Sequence, residues 1–190
     1  IGGPVVAAFE KQAASFLDAP IIGVGNGTDA LQIALMSLGI QPGDEVIVPA
    51  FTYAASAEVI ALLDAVAVWC DVNESTFTID PNSVKDVLSD KTAAIIAVHL
   101  YGQCADIESL EKIAAGIPIV EDTAQAFGAK FIKGKYSGRF AGTVGAFGTF
   151  SFFPTKNLGA LGDGGAISSI NADFLVKAKS IASHGQRKKY

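Results

Sequence analysis

The sequence predicts an α/β fold in which a largely parallel central sheet is flanked by helices. Two observations carry this. Short Val- and Ile-rich runs alternate with segments of helical apolar spacing through residues 21–122. The 190 residues, 50% hydrophobic and 17% charged, suffice for one sizeable core but not for two full domains.

Ile21–Gly25, Glu45–Ala50, Ala65–Val72, Ala93–Leu100 and Ile117–Asp122 read as strands. Between them, Thr28–Leu38, Ala54–Leu63, Ser83–Leu88 and Ile107–Ala115 place apolar residues at helical spacing. Beyond Asp122 a glycine-rich segment carries two further strand-like runs, Gly145–Phe153 and Gly165–Ser169, and Asn171 then caps a helix through Ile181. No internal repeat, low-complexity tract or Ser/Pro linker marks a domain boundary. Trp69 and Cys70 fall inside a strand and read as core. His99, at the end of another strand, reads first as a satisfied core histidine.

Composition removes several function classes. Fourteen basic against 19 acidic residues leave a formal charge of −5, so no basic surface is expected to meet nucleic acid or acidic lipid. Two cysteines, Cys70 and Cys104, are too few for a disulfide framework or a four-cysteine metal site, which fits a reducing compartment and a cytoplasmic location. Cys104 has no metal-ligand spacing with either histidine, and no metal is expected. Every apolar run is broken short of the ~18 residues that a membrane helix needs, so no membrane partner is expected. Both ends read as cut: the first residue is Ile1, and His184–Tyr190 follows a helix-like run with no closing element. A mean hydropathy of +0.39 suggests apolar surface that further chain or a partner subunit covers.

Three segments carry chemistry. Gly25-Asn26-Gly27-Thr28-Asp29 lies between a strand and a helix, where backbone amides and the positive helix end can grip a phosphate. The same residues also suit a plain turn with Thr28 or Asp29 as N-cap. Ile119-Val120-Glu121-Asp122 brings two carboxylates to the carboxyl end of an apolar strand, where ligands collect in open α/β sheets. One of them is expected to face the crevice, beside a cation such as a protonated pyridine nitrogen, or else Asp122 caps the next helix through Thr123 and Ala124. In Ser151-Phe152-Phe153-Pro154-Thr155-Lys156-Asn157-Leu158-Gly159, followed by Gly162-Asp163-Gly164-Gly165, Lys156 sits in an apolar, glycine-rich turn. Desolvation there favours a neutral, nucleophilic amine. Ser151 offers a hydroxyl to a phosphate.

Together these segments resemble the sugar aminotransferase family of the DegT/DnrJ/EryC/StrS type. These are fold-type-I enzymes dependent on pyridoxal 5'-phosphate that act on nucleotide-linked keto sugars. The resemblance extends over Gly2-Pro4 with Phe9-Glu10, Asn26–Leu31, Pro42–Val46, Phe51-Thr52-Tyr53, His99–Gln103, Glu121–Gly128, the lysine segment and His184-Gly185-Gln186. It implies that Lys156 takes the cofactor covalently and moves the substrate proton, and that Asp122 is the partner of the pyridine nitrogen. Gln125 is implied near the ring's 3-hydroxyl and Tyr53 in a stack over the cofactor. Thr28, with the amides of Gly27 and Asp29 and the Ser151 hydroxyl, forms the implied phosphate cup. His184 is implied near the substrate's nucleotide or the subunit boundary, whereas the following Arg187-Lys188-Lys189 tail reads on its own as a solvated face.

The same resemblance makes residues 1–190 the cofactor-binding large domain of a homodimeric enzyme, truncated at both ends. The family's small C-terminal domain, whose first part sends an Asn and an Arg to the cofactor phosphate or substrate across the dimer, is not in this sequence. The implied reaction moves an amino group from L-glutamate to a keto group of a nucleotide-linked sugar. Gly102–Asp106 and His184–Gln186 look most like the enzymes that aminate C3 of a UDP-linked 2-acetamido-3-keto uronic acid, on the way to surface polysaccharide. Two alternatives stay open: a sugar dehydrase of the same fold, which carries histidine where Lys156 stands, and a non-catalytic cofactor-binding regulatory protein.

Overall fold

In the computed structural model, which describes residues 2–114 and 116–186, the chain begins with α1 (Pro4–Leu17), β1 (Ile21–Val24) and α2 (Gly27–Leu38). It continues through β2 (Glu45–Pro49), α3 (Ala55–Ala61), β3 (Val66–Cys70), α4 (Pro81–Val87), β4 (Thr92–Val98), α5 (Ile107–Ile113) and β5 (Ile119–Asp122). β6 (Phe147–Ser151), β7 (Gly165–Ser168) and α6 (Ala172–Ile181) complete it. The seven strands form one sheet in the order β1-β7-β6-β5-β4-β2-β3. The five neighbours from β6 to β3 run parallel, and only β7 opposes both of its neighbours. The mostly parallel α/β sheet expected from the sequence is therefore the sheet observed.

Local chemistry starts four of the helices. α2, α4, α5 and α6 each follow an Asn or Asp (Asn26, Asp80, Asp106, Asn171) whose side chain accepts a first-turn amide. Gly39 ends α2 at φ 87°, a left-handed cap that glycine adopts without strain. α2, α3 and α6 cover one face of the sheet over a core that includes Leu31, Leu35, Val46, Ile96 and Phe147. Ile47, Ile95, Ile107 and Leu110 build the core on the other face, beneath α4 and α5. Each such side chain contributes about 1.5–3 kcal/mol on burial.

Two departures from the sequence reading have physical causes. α1 was not among the expected elements: only Ala13 and Leu17 are buried along it while Val5 is 80% exposed, so its apolar spacing carries little signal. Trp69, expected in the core beside Cys70, is 53% exposed, because β3 is an edge strand and alternate side chains point to opposite faces. Cys70 itself is buried as expected. The expected end of α5 at Ala115 and the Arg187-Lys188-Lys189 tail lie outside the described residues. Among the described residues no helix is long and apolar enough to cross a membrane.

The loop before β6 lies directly on that strand. A Cβ at Gly148 would collide with the Gly142 carbonyl, and that carbonyl also accepts the Ser168 hydroxyl from β7. Backbone cannot yield as a side chain does. Gly148→Ala should therefore cost about 3 kcal/mol, at the upper end of ordinary overpacking, read as a lower urea midpoint with an unchanged slope.

Candidate active site

The carboxyl ends of β4, β5 and β6 and the start of α2 after β1 open onto a single cavity of about 500 Å³. This is the edge of an open α/β sheet where ligands bind. Its walls include Gly27, Thr28, Asp29, Tyr53, Asp122, Gln125, Ser151 and Lys156, residues drawn from four separate stretches of chain. His184 does not line it; it is exposed after α6, in a left-handed turn at φ 57°.

At one end the cavity offers donors. Asn26, not Thr28 or Asp29, caps α2, accepting the Asp29 amide on its side chain at 2.8 Å. That bond occupies the Asp29 amide, so the first-turn amides left for an anion are those of Gly27 and Thr28. Gly27 packs so closely on β6 that a Cβ would lie 2.7 Å from Ser151 Cβ and 3.2 Å from Ser151 Oγ. The Ser151 hydroxyl thus sits beside the helix start, where amides, hydroxyls and the helix dipole together suit a phosphate.

At the other end β5 sorts its two carboxylates by strand alternation. Asp122 turns to the cavity; its Oδ1 accepts the Ala124 amide at 3.1 Å and its Oδ2 accepts the Ser56 hydroxyl at 2.8 Å. The expected helix does not follow β5; Asp122 caps a turn instead, and does so while facing the crevice, so the two alternatives coexist in one side chain. Glu121 turns inward and is fully buried. Its carboxylate accepts His99 Nε2 at 2.8 Å and the amides of Gly142, Val144 and Gly145 at 2.9, 2.8 and 2.7 Å. His99 Nδ1 accepts the Ala105 amide at 2.9 Å, which leaves the ring proton on Nε2, aimed at Glu121. Burial alone would raise the Glu121 carboxyl, but the His99 bond and the loop amides outweigh it and hold the group below the usual carboxylate range.

The remaining walls come from loops. Gln125 accepts the Tyr101 amide on Oε1 at 2.7 Å, which leaves its side-chain NH2 as the free donor. Tyr101 has a φ of 56°, a strained value for a residue other than glycine. Tyr53 lines the cavity and is 72% exposed. Lys156 is half-buried in the turn after β6, with no partner for its amine among the described residues. The apolar surroundings expected for it are only partly built, since Phe153 and Leu158 are 49% and 41% exposed. Leu161, beyond the turn, is fully exposed among the described residues.

Ser56 and Thr52 were missed from the sequence. A serine in the first turn of an apolar helix was the available signal, but a hydroxyl there usually caps the helix, and only the tertiary contact with Asp122 shows otherwise. Neither cysteine adds a nucleophile: burial pushes the Cys70 thiol up to about 12 and, with the Glu121 charge, the Cys104 thiol up to about 11. Among the described residues no cluster suits a metal ion.

Donors at one end, a carboxylate at the other, and an amine and an aromatic side chain between them suit a flat ligand with a phosphate and a cationic ring nitrogen. Comparisons with known proteins point the same way. The profile of the DegT/DnrJ/EryC1/StrS aminotransferase family matches residues 1–190. The chain is 45% identical over 191 aligned positions to a UDP-2-acetamido-2-deoxy-3-oxo-D-glucuronate aminotransferase of Pseudomonas aeruginosa, covering 99% of this chain and 52% of that protein. It is 49% identical over 171 positions to a pleiotropic regulatory protein of Geobacillus stearothermophilus, covering 89% of this chain and 45% of that protein. The crystal structure of DesV from S. venezuelae, in complex with a ketimine intermediate, superposes at a TM-score of 0.93 and 40% identity, covering all of this chain and 51% of that one. The chain thus spans about half the length of these relatives.

The Glu121 network yields a pH prediction. A carboxyl held below its usual value of 4.5 contributes stability that is fully present above that pH and is lost as the pH falls through the lower folded value. Glu121→Gln cannot satisfy the same donors and should lose about 3 kcal/mol at neutral pH. Its stability should also fall less steeply with acid than the wild type's, as measured by denaturant unfolding between neutral and acid pH.

Proposed function

The chain belongs to the DegT/DnrJ/EryC1/StrS aminotransferase family, whose profile spans all of it, and from that premise we propose that it is the cofactor-binding large domain of a pyridoxal-phosphate-dependent nucleotide-sugar aminotransferase. The observation that carries the reading is the convergence of Lys156, Asp122, Gln125, Ser151 and the start of α2 on one cavity. Pyridoxal 5'-phosphate is the cofactor on which this family depends. When bound, it supplies an electron-withdrawing ring that stabilises negative charge next to the transferred nitrogen.

The chain's own residues would do the rest. The Gly27 and Thr28 amides, the Thr28 hydroxyl and Ser151 Oγ hold the phosphate. Asp122 keeps a proton on the ring nitrogen, and the Gln125 NH2 donates to the ring's oxygen substituent. Tyr53 stacks on the ring, worth about 1 kcal/mol beyond its burial. Lys156 Nζ would carry the cofactor covalently at rest and, once an incoming substrate amine has displaced it and left it as a free amine, would take and return the proton at the carbon that bears the nitrogen.

The substrates in this reading are L-glutamate as donor and a nucleotide-linked keto sugar as acceptor. The name of the Pseudomonas aeruginosa relative favours a UDP-linked 3-keto uronic acid, and surface polysaccharide synthesis is the role we propose for the product. We place the enzyme in the cytoplasm, where such nucleotide sugars are made, with His184 toward the substrate's nucleotide or the subunit boundary. A regulatory role is the second reading, favoured by the name of the Geobacillus stearothermophilus relative; Lys156 argues for catalysis, and against a dehydrase that carries histidine in its place.

The catalytic unit in this proposal is a homodimer. Phe153, Leu158 and Leu161, 49%, 41% and 111% exposed, flank the lysine turn and form the apolar surface a second subunit would cover.

Two experiments test the proposal. Borohydride reduction of the full-length protein with pyridoxal phosphate, followed by peptide mapping, should place the pyridoxyl group on Lys156; a label confined to another lysine overturns the assignment. Leu161→Glu should shift full-length protein from dimer toward monomer in sedimentation and lower transamination at least tenfold. An active monomer would refute the shared site.

A further inference from the structure

The carboxylate that faces the cavity is held by a hydroxyl chain from another element. Ser56 Oγ, 1% exposed on the second residue of α3, donates to Asp122 Oδ2 at 2.8 Å. A hydroxyl has one proton, and an ionised carboxylate only accepts. In the 3.2 Å contact between Ser56 Oγ and Thr52 Oγ1, therefore, Thr52 is the donor. Thr52 also lines the cavity. The chain of donors thus runs from the cavity wall, through Ser56, to the oxygen of Asp122 that the Ala124 amide leaves open.

Helix formation does not explain this serine. α3 has no side-chain cap, and Ser56 lies among the buried Ala55, Val59 and Ile60. A hydroxyl placed there costs free energy unless it is bonded, and among the described residues its side-chain bonds go to Thr52 and Asp122. Alanine would serve the helix better.

We propose that Ser56 is a positioning residue that keeps Asp122 in the orientation and charge state needed to hold a proton on the cofactor's ring nitrogen. The proposal rests on the reading of Asp122 as the partner of that nitrogen. A charge-assisted hydrogen bond stabilises the carboxylate anion, so a proton shared between Asp122 and the ring stays on nitrogen. Thr52, donating into the same hydroxyl, polarises it and strengthens that bond. With Ala124 on one oxygen and Ser56 on the other, the plane of the carboxylate is set before the ligand arrives.

The test uses full-length protein loaded with pyridoxal phosphate that is isotope-labelled at the ring nitrogen. Ser56→Ala should move the ring-nitrogen NMR resonance toward its unprotonated position and raise the cofactor dissociation constant about tenfold, the scale of one hydrogen bond to a charged group. Ser56→Cys, close in size but a weaker donor, should fall between. In an Asp122→Asn background the Ser56→Ala change should alter neither readout, since the partner it acts through is gone. An unchanged resonance and dissociation constant in Ser56→Ala overturns the proposal. So does an equal loss in the Asp122→Asn background, which would assign Ser56 to the packing of α3. Wild-type protein that binds no pyridoxal phosphate would overturn the cofactor reading and this proposal together.

Discussion

The site depends on a fully buried carboxylate that never touches the cavity. Glu121 gathers His99 from the end of β4 and the amides of Gly142, Val144 and Gly145 from the loop before β6. A charge in that position is tolerable only because every strong donor around it is directed inward. Those bonds tie the carboxyl ends of β4 and β5 to the loop that leads into β6. Through His99 the same carboxylate also orders the turn that presents the Tyr101 amide to Gln125. Cavity geometry on that side is a consequence of the buried pair beneath it.

Two adjacent acidic residues therefore have opposite assignments, and the strand's period of two makes the division. Glu121 points into the protein and is satisfied by protein; Asp122 points to the crevice and keeps room for a ligand. Its own supports, the Ala124 amide and the Ser56 hydroxyl, leave the cavity-facing side of the carboxylate open. Close backbone approach completes the frame. Gly148 lets the loop that feeds Glu121 lie on β6, and Gly27 lets α2 start against Ser151. Both are cases in which the absence of a Cβ, not flexibility, is the requirement.

The lysine turn is built differently. It leaves the sheet between β6 and β7, folds back through the Lys156 amide to the Phe153 carbonyl and the Ala160 amide to the Phe152 carbonyl, and exposes apolar side chains on either side of Lys156. A rigid floor and an unfinished rim result. The floor is fixed by buried charge and close packing, whereas the rim carries apolar side chains that are exposed among the described residues.

Much of this was legible in the sequence because it depends on local pattern. Val- and Ile-rich runs, Asx caps and helical spacing mark most strands and helices, and the carboxylate pair, the glycine-flanked threonine and the lysine turn are short motifs whose chemistry follows from neighbouring residues. What resisted is non-local. α1 buries too few residues to show a period, and Trp69 is exposed because β3 is an edge, which only strand order reveals. Asn26 won the cap of α2 over Thr28 and Asp29 through backbone geometry at the end of β1. The bonds from Ser56 to Asp122 and from Glu121 to the loop before β6 span 66 and 21–24 residues. Sequence determined which groups are available and on what kind of element each sits; the tertiary structure decided which of them meet, because a hydrogen bond is set by distance in space and carries no trace of separation along the chain.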